Sequence, residues 1–148
     1  MDARRLSADL SVSPQITAED IETLADQGFR SVICNRPDGE AGDQPAFSEI
    51  AAAAEAKGIE TRYLPIFPGQ LDDTDAAVFR QMLGDLPAPV LAYCRSGTRS
   101  AMLWALAVAE AKPLTDILAA TQAAGYDASG LIPRLATRAP APAPADPG

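Results

Sequence analysis

The segment with the clearest potential for chemistry reads C-R-S-G-T-R-S and occupies residues 94–100. It follows an apolar run at residues 90–93 and precedes a helical pattern, which predicts a turn between a buried strand and a helix. In such a turn several backbone N–H groups can point at one centre, and the next helix directs its positive end to the same point. Arg99 adds a planar fork of donors that suits a tetrahedral oxyanion. The spacing therefore predicts a loop that binds a small anionic substrate.

Cys94, the first residue of this loop, is the candidate nucleophile. The positive groups that attract an anion also favour the thiolate form of the cysteine. A buried cysteine is more often an inert apolar side chain, but such a residue has no need of a glycine, two arginines and several hydroxyl groups around it. We therefore expect Cys94 and Arg99 to be catalytic, and we expect the other residues of the loop to bind the substrate: Arg95, Ser96, Gly97, Thr98 and Ser100.

The composition excludes several other chemistries. The 148 residues include no histidine and only two cysteines, which argues against histidine-dependent hydrolases, zinc hydrolases and a disulfide-rich scaffold. Twelve basic and 20 acidic residues give a net charge of −8, and such a surface repels nucleic acid. We expect no metal, no cofactor and no nucleic-acid partner.

The sequence also argues against a membrane association. The longest apolar run, residues 101–109, is about half of the roughly 20 residues that a membrane span requires. Arg4 and Arg5 are not followed by the apolar stretch of a signal peptide. We expect a cytoplasmic protein with reduced thiols.

Helical and strand patterns alternate along the chain and must position the loop. Strands are predicted over residues 10–15, 31–35, 59–66 and 90–93. Helices are predicted over residues 17–27, 45–57, 73–86, 100–111 and 113–124, with a short last helix from about Asp127. This order predicts an α/β domain over residues 10–136 with a mainly parallel sheet flanked by helices. Residues 1–9 are expected to be a flexible N-terminus, and the Pro/Ala-rich residues 137–148 a flexible tail.

A second polar segment, N-R-P-D-G-E, follows the predicted strand at residues 31–35. In a parallel sheet its residues lie at the same edge as the Cys94 loop. Arg36 could then contact the substrate anion, while Asp38 and Glu40 could orient the arginines of the loop. Because P-D-G is also a strong turn sequence, a solvated turn is the alternative.

The loop resembles the signature loops of two superfamilies. Protein tyrosine and dual-specificity phosphatases carry H-C-x5-R, whereas rhodanese-type sulfurtransferases often carry C-R-x-G-x-R. Residues 94–99 form C-x4-R, which has the rhodanese length, and Tyr93 stands where the phosphatases have histidine. The consecutive helices after the loop are typical of the phosphatases.

Taken together, the segments resemble one family, the phosphatase-like domain of beta-lactamase-hydrolase-like proteins. The matching segments are S-V-S-P-Q-I at residues 11–16, G-F-R-S-V-I-C-N-R-P-D-G-E at 28–40, P-V-L-A-Y-C-R-S-G-T-R-S at 89–100 and G-Y-D at 125–127. The resemblance implies a dual-specificity-phosphatase-like, cysteine-phosphatase architecture. Some relatives carry a fused persulfide dioxygenase, which implies sulfide detoxification and, for this chain, a possible separate dioxygenase partner.

The resemblance leaves two chemistries open, together with a non-catalytic anion-binding domain. Hydrolysis of a phosphate ester requires an acid for the leaving group, and Gln70 stands near the position where dual-specificity phosphatases keep that aspartate. Asp72, Asp73 and Asp75 are close, but they are more typical of a helix N-terminus. Sulfur transfer requires only a thiolate and an anion site. We therefore expect a sulfurtransferase that takes sulfane sulfur from thiosulfate or a glutathione persulfide through a Cys94 persulfide, with a phosphatase that forms a cysteinyl-phosphate as the alternative.

Cys34 could act on an oxidised or persulfidated Cys94 by forming a disulfide with it. The simpler interpretation is a core residue, because Cys34 lies in an apolar predicted strand.

Overall fold

A single mostly parallel sheet organises residues 2–138, the part of the chain that this computed structural model describes. Its strands are β1 (Arg4–Arg5), β2 (Leu10–Ser13), β3 (Ser31–Cys34), β4 (Glu60–Tyr63) and β5 (Val90–Tyr93). Their order across the sheet is β1-β2-β5-β3-β4. The strands β2, β5, β3 and β4 run parallel to one another, and β1 pairs antiparallel with β2. The predicted α/β fold with a mainly parallel sheet is therefore confirmed.

Helices cover both faces of this sheet. They are α1 (Ala18–Asp26), α2 (Phe47–Ala56), α3 (Asp73–Asp85), α4 (Thr98–Val108), α5 (Leu114–Ala123) and α6 (Ile132–Arg138), with a 3-10 turn at Ser129–Leu131. Alternate residues of the central strands enter two separate cores, because successive side chains of a strand point to opposite faces. Leu91 and Tyr93 pack with α1 and α2, whereas Val90 and Ala92 pack with α3 and α4. This burial on both faces explains why β5 is apolar throughout.

The register of the strands brings the candidate site together. Ser13 of β2 and Cys34 of β3 are both paired with Tyr93 of β5, so the three strands end at the same level. The residues that follow them, including Cys94 and Arg36, consequently lie at one edge of the sheet. Ligands of open parallel sheets bind at this edge.

Residues 1–9 were expected to be flexible, but residues 4–6 belong to the sheet and the core. Arg4 and Arg5 pair with Val12 and Ser11 in the sheet, and Leu6 is buried in the larger core. The side chain of Arg4 also donates a hydrogen bond of 2.9 Å to the carbonyl of Ala124. A strand of two residues carries no sequence periodicity, and for this reason the pattern did not indicate it.

The C-terminal end also differs from the expected boundary. The last helix begins at Ile132 after a 3-10 turn and includes Arg138, whereas the tail was expected to start at residue 137. Arg134 and Arg138 both donate to Oδ1 of Asp73, at 3.1 and 2.8 Å, which attaches α6 to the start of α3. Residues 139–148, which include the rest of the predicted tail, lie outside the described residues.

No helix within residues 2–138 has the length and apolar composition needed to cross a membrane.

Candidate active site

Cys94 lies directly after β5 and begins the Cys94 loop, a name used here for residues 94–99. Its side chain is completely buried. The backbone N–H of Gly97 donates to Sγ of Cys94 at 3.1 Å, and the backbone N–H of Cys94 donates to the carbonyl of Ser13 at 3.4 Å. The loop is thus bent so that an amide at the start of α4 points at the sulfur. An amide and a helix N-terminus in this position stabilise negative charge on the sulfur.

Gly97 permits this bend and a close contact with Tyr126. Its φ of +94° lies in the left-handed region, where residues with a side chain are strained. A Cβ at this position would collide with the hydroxyl of Tyr126 and lie 3.3 Å from the backbone carbon of Ser13. Tyr126 donates a hydrogen bond of 3.3 Å to the carbonyl of Ser96. In the sequence Tyr126 belongs to the matching G-Y-D segment, which predicts no role for it.

Arg99 is held by two partners from other parts of the chain. Its Nη1 and Nη2 donate to Oε2 and Oε1 of Glu40, at 2.6 and 2.8 Å, and Nη1 also donates to the carbonyl of Ile66 at 2.8 Å. Within residues 2–138 the guanidinium donates these three hydrogen bonds and no others. They leave Nε–H and one N–H of Nη2, on one edge of the group, as a fork for an oxyanion. The Glu40 hydrogen bonds raise the pKa of Arg99, and the Cys94 sulfur adds to the rise.

Glu40 is itself held between two arginines. Besides Arg99, Arg36 donates from Nε to Oε1 of Glu40 at 3.0 Å. The hydrogen bonds from Arg99, with a smaller contribution from Arg36, hold the pKa of Glu40 below its usual value. Arg36 is 5% exposed, and its Nη1 donates to Oε1 of Gln15 at 3.1 Å. Arg36 is therefore part of a buried network rather than a solvated turn, and its observed contacts support Glu40.

Ser100 and Asn35 connect the start of α4 to the sheet. Oγ of Ser100 donates to Oδ1 of Asn35 at 2.8 Å, and both residues are completely buried. Asn35 also donates from Nδ2 to the carbonyl of Leu64 at 3.0 Å. Ser100 was expected to bind substrate, but these contacts correspond to a structural role. Asn35 was not singled out from the sequence, since a lone asparagine after a strand has no specific signal.

The other polar residues of the loop are exposed. Oγ of Ser96 donates to Oγ1 of Thr98 at 3.0 Å, and the backbone carbonyl of Arg95 accepts from the N–H of Gln15. Arg95, Ser96 and Thr98 therefore lie at the accessible rim of the loop, where the side chains can reach a ligand.

The candidate acidic residues make contacts of a different kind. Asp38 accepts from the backbone N–H of Phe47 at 2.9 Å near the start of α2, so it does not orient the arginines of the loop. Asp72 caps α3 by accepting from the N–H of Asp75 at 2.8 Å, and Asp73 binds the two arginines of α6. The helix N-terminal interpretation of Asp72 and Asp73 is consistent with these contacts. Gln70 is exposed in the turn before α3.

Cys34 belongs to the core on the α1 and α2 side of the sheet. Its Sγ donates to the carbonyl of Arg36 at 3.2 Å, and burial raises the pKa of the thiol to about 11. A buried thiol of this kind is a poor nucleophile at neutral pH. The contacts of Cys34 are those of a core residue.

A mostly parallel sheet with a cysteine-and-arginine loop between its central strand and a helix defines the class of cysteine phosphatases and their relatives. The chain belongs to the family described as the phosphatase-like domain of beta-lactamase hydrolase-like protein, which matches residues 2–111.

Individual relatives agree with this assignment. The beta-lactamase hydrolase-like protein of Agrobacterium fabrum is 34% identical over 106 residues, which are 72% of this chain and 25% of that protein. The chain thus spans about a quarter of the length of the curated relatives it matches. A candidate phosphatase from Neisseria meningitidis is 37% identical with a TM-score of 0.83, over 93% of this chain and 99% of that one. A kinase associated phosphatase, at 16% identity and a TM-score of 0.64 over 82% and 76% of the two chains, shares the fold.

Proposed function

We propose that the protein is a sulfurtransferase in which Cys94 carries the transferred sulfur. The Cys94 thiolate attacks the sulfane sulfur of a small anionic donor such as thiosulfate or a glutathione persulfide. With thiosulfate, the S–S bond breaks and sulfite leaves with the electron pair, so that Cys94 becomes a persulfide. An acceptor thiolate then takes the terminal sulfur and releases the Cys94 thiolate. The amide of Gly97 supports this proposal because it donates to Sγ of Cys94 and stabilises negative charge there. The free edge of Arg99 supports it because it can hold the anionic donor against the nucleophile.

The choice of sulfur over phosphate rests on one observation: the acidic residues after β4 are already bound to other groups of the protein. Asp72 and Asp75 form the capping box of α3, and Asp73 forms ion pairs with Arg134 and Arg138. Hydrolysis of a phosphate ester requires a group that protonates the leaving oxygen, and its absence slows such reactions by ~10²–10⁴-fold. A departing sulfite or thiolate has no such requirement. The arrangement therefore favours sulfur transfer.

The length of the loop favours the same choice. Residues 94–99 form C-x4-R, one residue shorter than the C-x5-R of the phosphatases that the loop resembles. A shorter loop offers one amide fewer to the three equatorial oxygens of a phosphoryl group. A terminal sulfur atom makes smaller demands on the loop.

Phosphatase activity through a cysteinyl-phosphate is the second candidate. It is favoured by the similarity to the candidate phosphatase of Neisseria meningitidis, which covers almost the whole of both chains. In this case a carboxylate would have to leave its present contacts and approach the leaving group. Asp72, Asp73 and Asp75 are the residues to test, and burial raises the pKa of Asp75 above its usual value.

The partner that would consume the products of sulfur transfer follows from the chemistry. We propose that a persulfide formed on a small thiol is oxidised by a persulfide dioxygenase that works together with this domain, as the resemblance to the fused relatives implies.

The two candidates are distinguished by comparing catalytic efficiencies on two substrates under one set of conditions. Sulfur transfer from thiosulfate to a thiol is measured beside hydrolysis of para-nitrophenyl phosphate, with Cys94→Ser as the control for both. We expect Cys94-dependent turnover of thiosulfate and only trace hydrolysis of the phosphate ester. Efficient phosphate hydrolysis that is lost in Asp72→Asn, Asp73→Asn or Asp75→Asn would reverse the order. No turnover of either substrate would favour a non-catalytic anion-binding domain.

A further inference from the structure

A cleft of about 580 Å³ lies between the end of α5 and the start of α6, and Tyr126 in its lining contacts the Cys94 loop at Ser96. Apolar and aromatic side chains form much of its lining: Leu118, Tyr126, Ala128 and Ile132. Ile132 is 37% exposed, which makes it one of the few large apolar side chains of residues 2–138 that remain in contact with solvent. Clefts that combine apolar walls with a few polar groups are the usual sites for small organic ligands.

Tyr126 connects this cleft to the reactive loop. It lines the cleft and donates to the carbonyl of Ser96, and Gly97 leaves room for its hydroxyl. Burial raises the pKa of Tyr126 against the opposing charge of Arg4, and the Cys94 sulfur adds to the rise. The hydroxyl is therefore a protonated donor near the nucleophile. A ligand that occupies both regions would pass over this side chain.

The ring of Tyr126 is fixed from the other side by the N-terminal strand. Cζ of Arg4 lies 5.9 Å from the centroid of the ring, and Nη1 of Arg4 donates to the carbonyl of Ala124. Arg4 can reach this position because Gly125 has no Cβ, which would collide with the guanidinium. The wall of the cleft that faces the loop is consequently preformed rather than assembled by a ligand.

The charge of the cleft is opposite to that of the loop. Its lining includes the carboxylate of Asp127 and no lysine or arginine. Hydrogen bonds from Ser129 hold the pKa of Asp127 below its usual value, so the group is ionised at neutral pH. A second negative charge on the ligand would be repelled by Asp127, and the guanidinium of Arg4 behind Tyr126 is already paired with Asp2 at 3.0 Å. An uncharged apolar group would instead bury surface against Leu118 and Ile132.

We propose that this cleft binds the organic group of a substrate whose anionic head occupies the Cys94 loop, and that it selects an apolar aryl or alkyl group without a second negative charge. The chemical identity of this anionic head group rests on the proposed function. For sulfur transfer the matching substrate class is a thiosulfonate. The Cys94 thiolate attacks its terminal sulfur, the bond to the sulfonyl sulfur breaks, and a sulfinate leaves with the electron pair while Cys94 becomes a persulfide.

The test measures binding of two unreactive sulfonates that carry the same charge. Calorimetric titration of the wild-type protein compares benzenesulfonate with methanesulfonate. We expect the aryl compound to bind about tenfold more tightly, because a ring in the cleft removes apolar surface from water at ~25 cal/mol per Å². Ile132→Ser should reduce this preference, and Gln122→Leu, which makes the wall more apolar, should increase it. The matched control is Val78→Ser, because Val78 is also a 37% exposed β-branched residue of a helix but does not line the cleft.

Turnover of benzenethiosulfonate and thiosulfate by the same proteins separates the two proposals. A higher kcat/KM for the aryl donor that falls in Ile132→Ser and is unchanged in Val78→Ser supports both. Equal affinities for the two sulfonates, or an aryl preference that Ile132→Ser and Gln122→Leu leave unchanged, would overturn the role of the cleft even if thiosulfate is turned over. An aryl preference in binding without any sulfur transfer would support the cleft and contradict the proposed sulfur chemistry.

Discussion

Glu40 and Arg99 lie 59 residues apart in the sequence and are joined by two hydrogen bonds of 2.6 and 2.8 Å. The carboxylate binds the end of the guanidinium, so that the edge formed by Nε–H and one N–H of Nη2 is left for an oxyanion. Arg36 holds the same carboxylate from the opposite side. The anion-binding geometry is thus fixed before a substrate arrives, which is the condition under which positioning contributes most to catalysis.

The first prediction concerns this carboxylate. Glu40→Gln removes one acceptor and the negative charge, so Arg99 is no longer held by two charged bonds. We expect kcat/KM to fall by about 10²-fold, as misplacement of a substrate-binding group does. The free energy of unfolding should fall by ~1–3 kcal/mol, because the buried Arg36 loses its charged partner.

Enzyme kinetics and denaturant unfolding measure these two effects. Glu60→Gln is the matched control, since Glu60 forms an exposed ion pair with Arg62 at 3.4 Å and should change stability by less than ~1 kcal/mol. Equal kinetics for the two variants would show that Glu40 does not position Arg99.

The second prediction concerns Arg99 itself. Arg99→Lys retains the charge and can keep one contact with Glu40, but an ammonium group cannot offer a planar edge with two donors. We expect most of the activity to be lost, and the unfolding free energy to fall by ~1–3 kcal/mol because hydrogen bonds to Glu40 and to the carbonyl of Ile66 are lost. Near-normal turnover together with normal stability would move the anion-binding role to another residue, with Arg95 the next to test.

The third prediction concerns the bend of the loop. Gly97→Ala places a side chain at a φ of +94° and against the hydroxyl of Tyr126. We expect a loss of ~1–3 kcal/mol in unfolding free energy and a loss of activity. Gly84→Ala provides a control of opposite sign, because Gly84 lies in α3 with open space around it and alanine stabilises a helix by ~0.5–1 kcal/mol relative to glycine. Thermal melts of both variants test the contrast, and an unaffected Gly97→Ala protein would contradict the strained bend.

The sequence predicts those parts of the site whose contacting residues are close together in the chain. The Cys94 loop was evident because strand, turn and helix follow one another directly in the sequence. Asn35 and Tyr126 were not recognised as site residues, because their partners Ser100 and Ser96 lie 65 and 30 residues away and no periodicity reports such contacts. The same reason applies to the N-terminal strand.

The N-R-P-D-G-E segment shows how far a topological argument extends. Because parallel strands end at the same edge, its proximity to the loop could be predicted, and Glu40 is indeed bonded to Arg99. The division of roles within the segment could not be predicted. Asp38 is only two residues from Glu40, but its side chain accepts from the N–H of Phe47 at the start of α2 instead.

The fourth prediction concerns the two thiols. Burial raises the pKa of Cys34 to about 11, so its thiolate should become populated only as the pH rises towards that value. At neutral pH iodoacetamide should therefore modify Cys94 first, and modification of Cys34 should increase towards alkaline pH. Peptide mapping after timed alkylation measures both rates. Faster modification of Cys34 at pH 7 would contradict the assignment of Cys94 as the nucleophile.

The most direct test of the account is the mass of the intact protein after incubation with thiosulfate in the absence of an acceptor thiol. We predict that Cys94 gains one sulfur atom, that dithiothreitol removes it, and that Cys94→Ser shows no gain. An unchanged mass of the wild-type protein, together with Cys94-dependent hydrolysis of para-nitrophenyl phosphate, would contradict sulfur transfer and assign the loop to phosphate chemistry.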